Sequence, residues 1–141
     1  MNSMNNKTFI YNFLNRRMLC VLSTVGPDNM PESAVMEFGQ TKDLELIFDT
    51  PTTTRKYTNL MKNPKIAAVL GWEEMDTVQY EGIAKELSGK ELKRYTTIMF
   101  AKNPDFQKWE ATPHVTYFKI TPLWIRYTSG DGKSFTLRFG K

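Results

Sequence analysis

The 141-residue sequence is poor in the side chains that build covalent or metal-based chemistry. Its one cysteine, Cys20, cannot form an internal disulfide, and the surrounding apolar run LCVLSTV predicts a buried thiol. Its one histidine is His114, so no transition-metal cluster of the usual ligand types can be assembled. No apolar run approaches the roughly 18 residues of a membrane-spanning helix. Repeats, low-complexity tracts and Gly/Ser-rich linkers are absent, which predicts one domain over residues 1–141. The N-terminus, MNSMNNKTFIYNFLNRR, lacks an apolar core followed by a small-residue cleavage site. No secretory signal is expected, and the cytoplasm is the expected compartment. The charge excess is small: 19 Lys and Arg against 15 Asp and Glu give +4, spread along the chain. That fits either a solvated surface or a phosphate-bearing partner, and says nothing of fold. With 40% hydrophobic and 24% charged residues the chain has the means for a packed core.

Phe9, Ile10, Phe13 and Leu14 recur at helical spacing, predicting an amphipathic helix from about Lys7 to Arg17 with Arg16 and Arg17 in its last turn. Strands follow over Met18–Val25 and about Glu32–Phe38, joined by the turn GPDNMP, and then over LELIFD. In TTTRKYTNLMKN the period changes. Arg55, Asn59 and Lys62 form one stripe and Tyr57, Leu60 and Met61 another, a short helix stopped by Asn63-Pro64. IAAVLGW and TVQYEGIAKEL read as strands, and SGKELKRYTTIMFA as a helix with Ser88 and Glu91 in a capping box. A short helix, PDFQKWEA, begins at Pro104, and HVTYFKITPLWIRY and KSFTLRF close the chain as strands around SGDGK. About seven strands and three or four helices, without βαβ alternation, predict an antiparallel β-barrel with flanking helices, an α+β fold that is mainly β.

The segment FDTPTTTRKYTNLMKNPKIAAVLGW carries the most chemical information. A strand ends at Asp49, the chain turns, and a helix begins among three threonines followed at once by Arg55 and Lys56. A helix start offers unpaired N–H groups and a positive dipole end, to which hydroxyls, a guanidinium fork and an ammonium add donors for phosphate. The plain alternative is a Thr-capped helix with two solvated cations. Cations in a first helical turn oppose the macrodipole, which favours an anion there.

In this order, the opening helix, LCVLSTVGPDNMPESAVMEF, the cradle segment and TVQYEGIAKEL resemble the pyridoxamine 5′-phosphate oxidase-like family of FMN-binding split barrels. The resemblance implies that flavin mononucleotide (FMN) lies along the second strand at Ser33, Ala34, Val35, Met36 and Glu37. Phe48, Asp49 and Thr50 would flank the ring and ribityl chain, and Thr54, Arg55 and Lys56 would bind the phosphate. A fifth-strand side chain, Thr77 or Gln79, would meet the ring; being two apart, both can point one way. Trp124 and Arg126 match the region that completes the neighbouring subunit's pocket, so a homodimer with flavin sites at its interface is expected. The oxidase itself ends in an Arg- and His-containing substrate grip. This sequence ends TLRFGK and has Glu32 or Ser33 where the oxidase's second strand is basic. The expectation is a retained cofactor site without efficient oxidation of pyridoxamine or pyridoxine phosphate.

Other candidates have plain readings. His114 is read as a surface or capping residue, and Glu73, Glu74 and Asp76 as a solvated hairpin connection with Trp72 over the barrel end. Phe100, Phe106 and Trp109 are read as apolar cover for the barrel or a dimer face. In PLWIRY, alternation places Pro122, Trp124 and Arg126 on one face, as core or as cofactor wall. The functional expectation is an FMN-dependent oxidoreductase whose small-molecule substrate the sequence does not name, since the chemistry would belong to the flavin ring. The alternatives are a non-catalytic flavin-binding or sensing protein, and a deazaflavin- or haem-binding relative. A nucleic-acid-binding barrel would interleave basic and aromatic residues on successive strands, whereas the best basic pair here opens a helix.

Overall fold

Period-two apolar alternation generates the strands, and helical spacing packs the helices around them. The computed structural model describes residues 3–140, with side chains from residue 5; Met1, Asn2 and Lys141, the ends of the predicted domain, lie outside the described residues. The elements are α1 (Ser3–Asn15), β1 (Leu19–Val25), β2 (Pro31–Glu37), β3 (Gly39–Gln40), β4 (Leu46–Pro51), α2 (Arg55–Lys62), β5 (Lys65–Leu70), β6 (Thr77–Glu86), α3 (Gly89–Lys102), a 3-10 segment (Pro104–Ala111), β7 (Val115–Thr128) and β8 (Ser134–Arg138). Among the described residues one antiparallel sheet runs β2-β1-β5-β6-β7-β4-β3, with β8 added to β7. The expected mainly-β, split-barrel α+β fold is present. The strand beyond the seven expected is the two-residue β3, between the second and third of those expected.

The curl of the sheet has a local cause. β7 pairs with β4 over Val115–Ile120 and with β8 over Trp124–Thr128, while β6 lies along both halves. At the changeover Glu81 faces Trp124 but Gly82 faces Pro122, so Leu123 is an extra residue and bulges out. Proline tolerates that position because the regular ladder is broken there. The bulge corrects the expected alternation: Pro122 is buried, whereas Trp124 and Arg126 lie on the opposite, outer face.

The barrel interior is filled by Leu22, Phe48, Ile66, Tyr80, Phe118, Ile120 and Ile125, with Ile10, Phe13 and Leu14 of α1 against it. Phe48 and Phe118 stack with centroids 5.3 Å apart, and the buried Tyr80 hydroxyl donates to the Leu44 carbonyl at 2.7 Å. A second cluster, Ile47, Leu87, Tyr95, Met99, Phe106 and Tyr117, lies under α3 and the 3-10 segment. Cys20 is buried, and burial pushes its thiol up to about 12. Among the described residues no helix is long and apolar enough to cross a membrane.

Several local expectations are corrected. α1 ends at Asn15, so Arg16 and Arg17 lie beyond it; Arg17 folds back over the Phe13 ring and donates to the Phe13 carbonyl at 2.8 Å. The cation still serves the helix C-terminus, from outside the helix. Ser88 makes no side-chain cap, and Glu91 pairs with Lys119 at 3.0 Å and Lys85 at 3.3 Å instead. Phe106 and Phe100 do cover the second cluster, but Trp109 is exposed. Trp72 is also exposed rather than packed. His114 sits exposed in a left-handed turn (φ 64°) before β7. Glu73 pairs with Arg17 at 3.3 Å, and Asp76 accepts the Gly130 N–H at 2.7 Å.

Candidate functional site

The start of α2 is built by its threonines. Thr54 is the N-cap: its hydroxyl accepts the Tyr57 N–H at 3.2 Å and lies 2.9 Å from Thr50 Oγ1. Thr50 is fully buried, so both hydroxyls serve the turn. The N–H groups of Arg55 and Lys56 occupy the first turn, where no intrahelical acceptor exists. With the two side chains, they are the donors that the helix start presents to a ligand.

β1 and β2 face this helix start. In β2, Glu32, Ala34 and Met36 pair across from Thr24, Leu22 and Cys20, and Ser33 and Val35 point the other way. A cavity of about 140 Å³ opens between the strands and α2, lined by Leu22, Thr24, Glu32, Ser33, Ala34, Arg55 and Lys56. Arg55 approaches Glu32 at 3.2 Å. Asn59, assigned by its spacing to a polar stripe, is instead buried and donates to Glu32 Oε1 at 2.9 Å and Thr24 Oγ1 at 3.0 Å. Met61, read as apolar face, is exposed. Glu32, Asn59 and Thr24 are thus site residues beyond those proposed from the sequence. The signal for Asn59 was present, one helical turn from Arg55.

On the far side of Lys56 lies a second group. Burial, and after it the nearby Glu37 carboxylate, push Asp49 up to about 6; Lys56 pulls the other way. Burial lowers Lys56, and Asp49 opposes that shift. Glu37 accepts the Trp109 indole N–H at 2.7 Å. Asp49 Oδ2 and the hydroxyl of its cross-strand neighbour Tyr117 are buried without a hydrogen-bond partner. Folded Asp49 thus binds its proton more tightly than an ordinary aspartate, and its ionisation costs stability as pH rises from about 4 through 6. Asp49→Asn should be more stable than wild type by about 1–2 kcal/mol at pH 7.5, a gain that disappears near pH 4. Thermal melts of both proteins across that range check the sign.

The structure brings Ser33, Ala34, Arg55 and Lys56 around one cavity, and sets Asp49 near Lys56 with Glu37 near Asp49. Phe48 points its ring into the core and Thr50 is enclosed, so toward a ligand they offer backbone only. The remaining candidates lie elsewhere. Thr77 and Gln79 share the outer face of β6, Gln79 opposite Arg126 and Glu81 opposite Trp124. Arg126 stands over the Trp124 ring at 5.1 Å and donates to Thr136 at 3.0 Å. β1 and β5 separate this group from β2.

Comparison with known proteins shows the family and the fold. The family described as pyridoxamine 5′-phosphate oxidase matches residues 8–129. Pyridoxine/pyridoxamine 5′-phosphate oxidase 2 of Hydrogenovibrio crunogenus is 33% identical over 85 residues, 60% of this chain but only 38% of that enzyme's length. The fold matches a Clostridium acetobutylicum protein related to general stress protein 26, of the pyridoxinephosphate oxidase family. There the TM-score is 0.74 at 16% identity, over 96% of each chain. It also matches a haem-binding protein from Mycobacterium smegmatis, with TM-score 0.82 at 12% identity, over 98% of this chain and 59% of that one. The chain belongs to the pyridoxamine 5′-phosphate oxidase family.

Proposed function

We propose that the protein binds FMN in the split between β2 and α2 and acts as a flavin-dependent oxidoreductase. One observation carries this reading: Arg55 and Lys56, the first residues of α2, line the cavity beside Ala34, at a helix start whose N–H groups suit an anion. These donors suit a phosphate, and the adjoining edge of β2, with Met36 and Glu37, suits a ribityl chain and ring. A bound flavin would supply hydride or electron transfer. The chain's own residues would hold it: Arg55 and Lys56 at the phosphate and the β2 edge along the ring, with the Asp49 and Glu37 carboxyl groups as polar neighbours of the site. The Mycobacterium smegmatis protein of like fold is a haem-binding protein. The histidine, exposed in a turn, and the buried thiol of Cys20 are not among the residues that line this cavity, so neither is placed to ligate a haem iron there. Purified protein that turns over a reduced nicotinamide with an electron acceptor, in proportion to its flavin content, supports the reading. Flavin-loaded protein without turnover removes the oxidoreductase part.

The same reading makes the working unit a homodimer. The cavity is far below the roughly 300–1,000 Å³ of a pocket that encloses a cofactor, so the flavin ring needs a second wall. β2 is an edge strand, and the outer face it shares with β1, β5 and β7, opposite the one that lines the cavity, exposes Leu19, Val35, Val69 and Leu123; a second copy covering that apolar surface would reach the cavity round the β2 edge. Wild type should sediment as a dimer, and Val69→Glu as a monomer with at least ~10-fold weaker FMN binding, the scale of a lost interface contact. A wild-type monomer that holds FMN tightly contradicts this part.

A further inference from the structure

Glu32 is an acidic side chain inside a cavity whose other charged groups are cations, and the surrounding structure is built to hold it. Its side chain is 15% exposed, against 79% for Arg55. Asn59 donates to one carboxylate oxygen at 2.9 Å, and Arg55 stands 3.2 Å from the other. A Cβ on Gly26 would lie 2.6 Å from Glu32 Oε2, so glycine leaves the space the carboxylate fills. A carboxylate and a phosphate are both acceptor-only anions here, and both seek the same guanidinium.

We propose that Glu32 is a built-in counter-ion that competes with a ligand's phosphate for Arg55 and so sets the site's preference between phosphorylated and unphosphorylated flavin. This rests on the reading of the cavity as the flavin site. Among the described residues Lys56 has no such contact: it feels the Asp49 carboxyl only electrostatically, so Arg55 is the cation of the cradle that a carboxylate already holds. A phosphate that takes Arg55 must share the guanidinium with Glu32 and meet its like charge, or displace it, and the preference for FMN over riboflavin is held down accordingly.

The test uses apo-protein, wild type and Glu32→Gln, titrated separately with FMN, riboflavin and inorganic phosphate. Glu32→Gln should bind FMN ~10-fold or more tightly, the worth of one charge-assisted hydrogen bond, with riboflavin affinity unchanged. Phosphate should raise its melting temperature at concentrations that leave wild type unmoved. Gly26→Ala, which crowds the carboxylate from its seat, should shift both readouts the same way and serves if Glu32→Gln does not fold. FMN and phosphate affinities that stay equal or fall in the variants overturn the proposal, since Glu32 would then orient Arg55 rather than oppose its ligand. A gain for phosphate with no flavin binding in either protein supports the counter-ion and refutes the flavin reading. Equal flavin binding without a phosphate gain does the reverse.

Discussion

Apo-protein carrying Arg55→Ala and Lys56→Ala together is expected to lose its preference for FMN over riboflavin. Each cation can give the phosphate a charge-assisted hydrogen bond of about 1.5–3 kcal/mol, so losing either should cost roughly 10- to 150-fold in affinity. The double loss should exceed either single one, because the phosphate would then face Glu32 and Asp49 with no cation between. It should fall short of the sum if both side chains grip one oxygen. Riboflavin has no phosphate, so its affinity is the internal control. Arg55 is mostly exposed and the N-cap at Thr54 is untouched, so the fold should persist. Titration of wild type and variant with both flavins reads the effect directly. Unchanged FMN affinity in a folded variant would mean that the phosphate sits elsewhere.

The largest effect on stability is expected at Gly82, remote from the cradle. A Cβ there would lie 2.6 Å from the Thr121 carbonyl oxygen and 2.6 Å from Ile120 Cγ2. Backbone is one of the two obstacles, so a change of rotamer cannot relieve the clash. Gly82 faces Pro122 where β7 bulges, and that bend brings β4 round toward β2. Gly82→Ala should cost about 3 kcal/mol, lowering the melting temperature on the order of 10 °C. Gly132 gives the contrast. It has φ of +89° with nothing near its missing Cβ, so Gly132→Ala meets only backbone strain, about 1 kcal/mol. Equal melting temperatures for the two variants would contradict the close-packing account of the bend.

What the sequence made legible follows from how local each cause is. The hairpin turn GPDNMP adopts positive φ at Asp28 and Asn29, as such residues allow, and Thr54 caps the helix where the threonine run predicts. These depend on residues a few positions apart. The bulge at Leu123 does not, because it is defined by which residues of β6 lie opposite, so alternation alone put Pro122 on the wrong face. Ser88 and Glu91 had capping-box spacing, but Lys119, 28 residues further on, captured the glutamate. The Glu32–Arg55 pair joins an edge strand to a helix start, so the cradle gains this carboxylate only in three dimensions. The enclosed ring of Phe48 follows the same logic: its position beside Asp49 was legible, whereas its stacking on Phe118 across the barrel was not.

The most direct test of the central claim is the cofactor content of the purified protein. A flavin absorption spectrum is expected, released by heat and identified by mass as FMN. Apo-protein should take back one FMN per chain and bind riboflavin less tightly. A colourless protein whose apo form neither quenches FMN fluorescence nor gains stability from it, or one that takes up haem instead, would contradict the account.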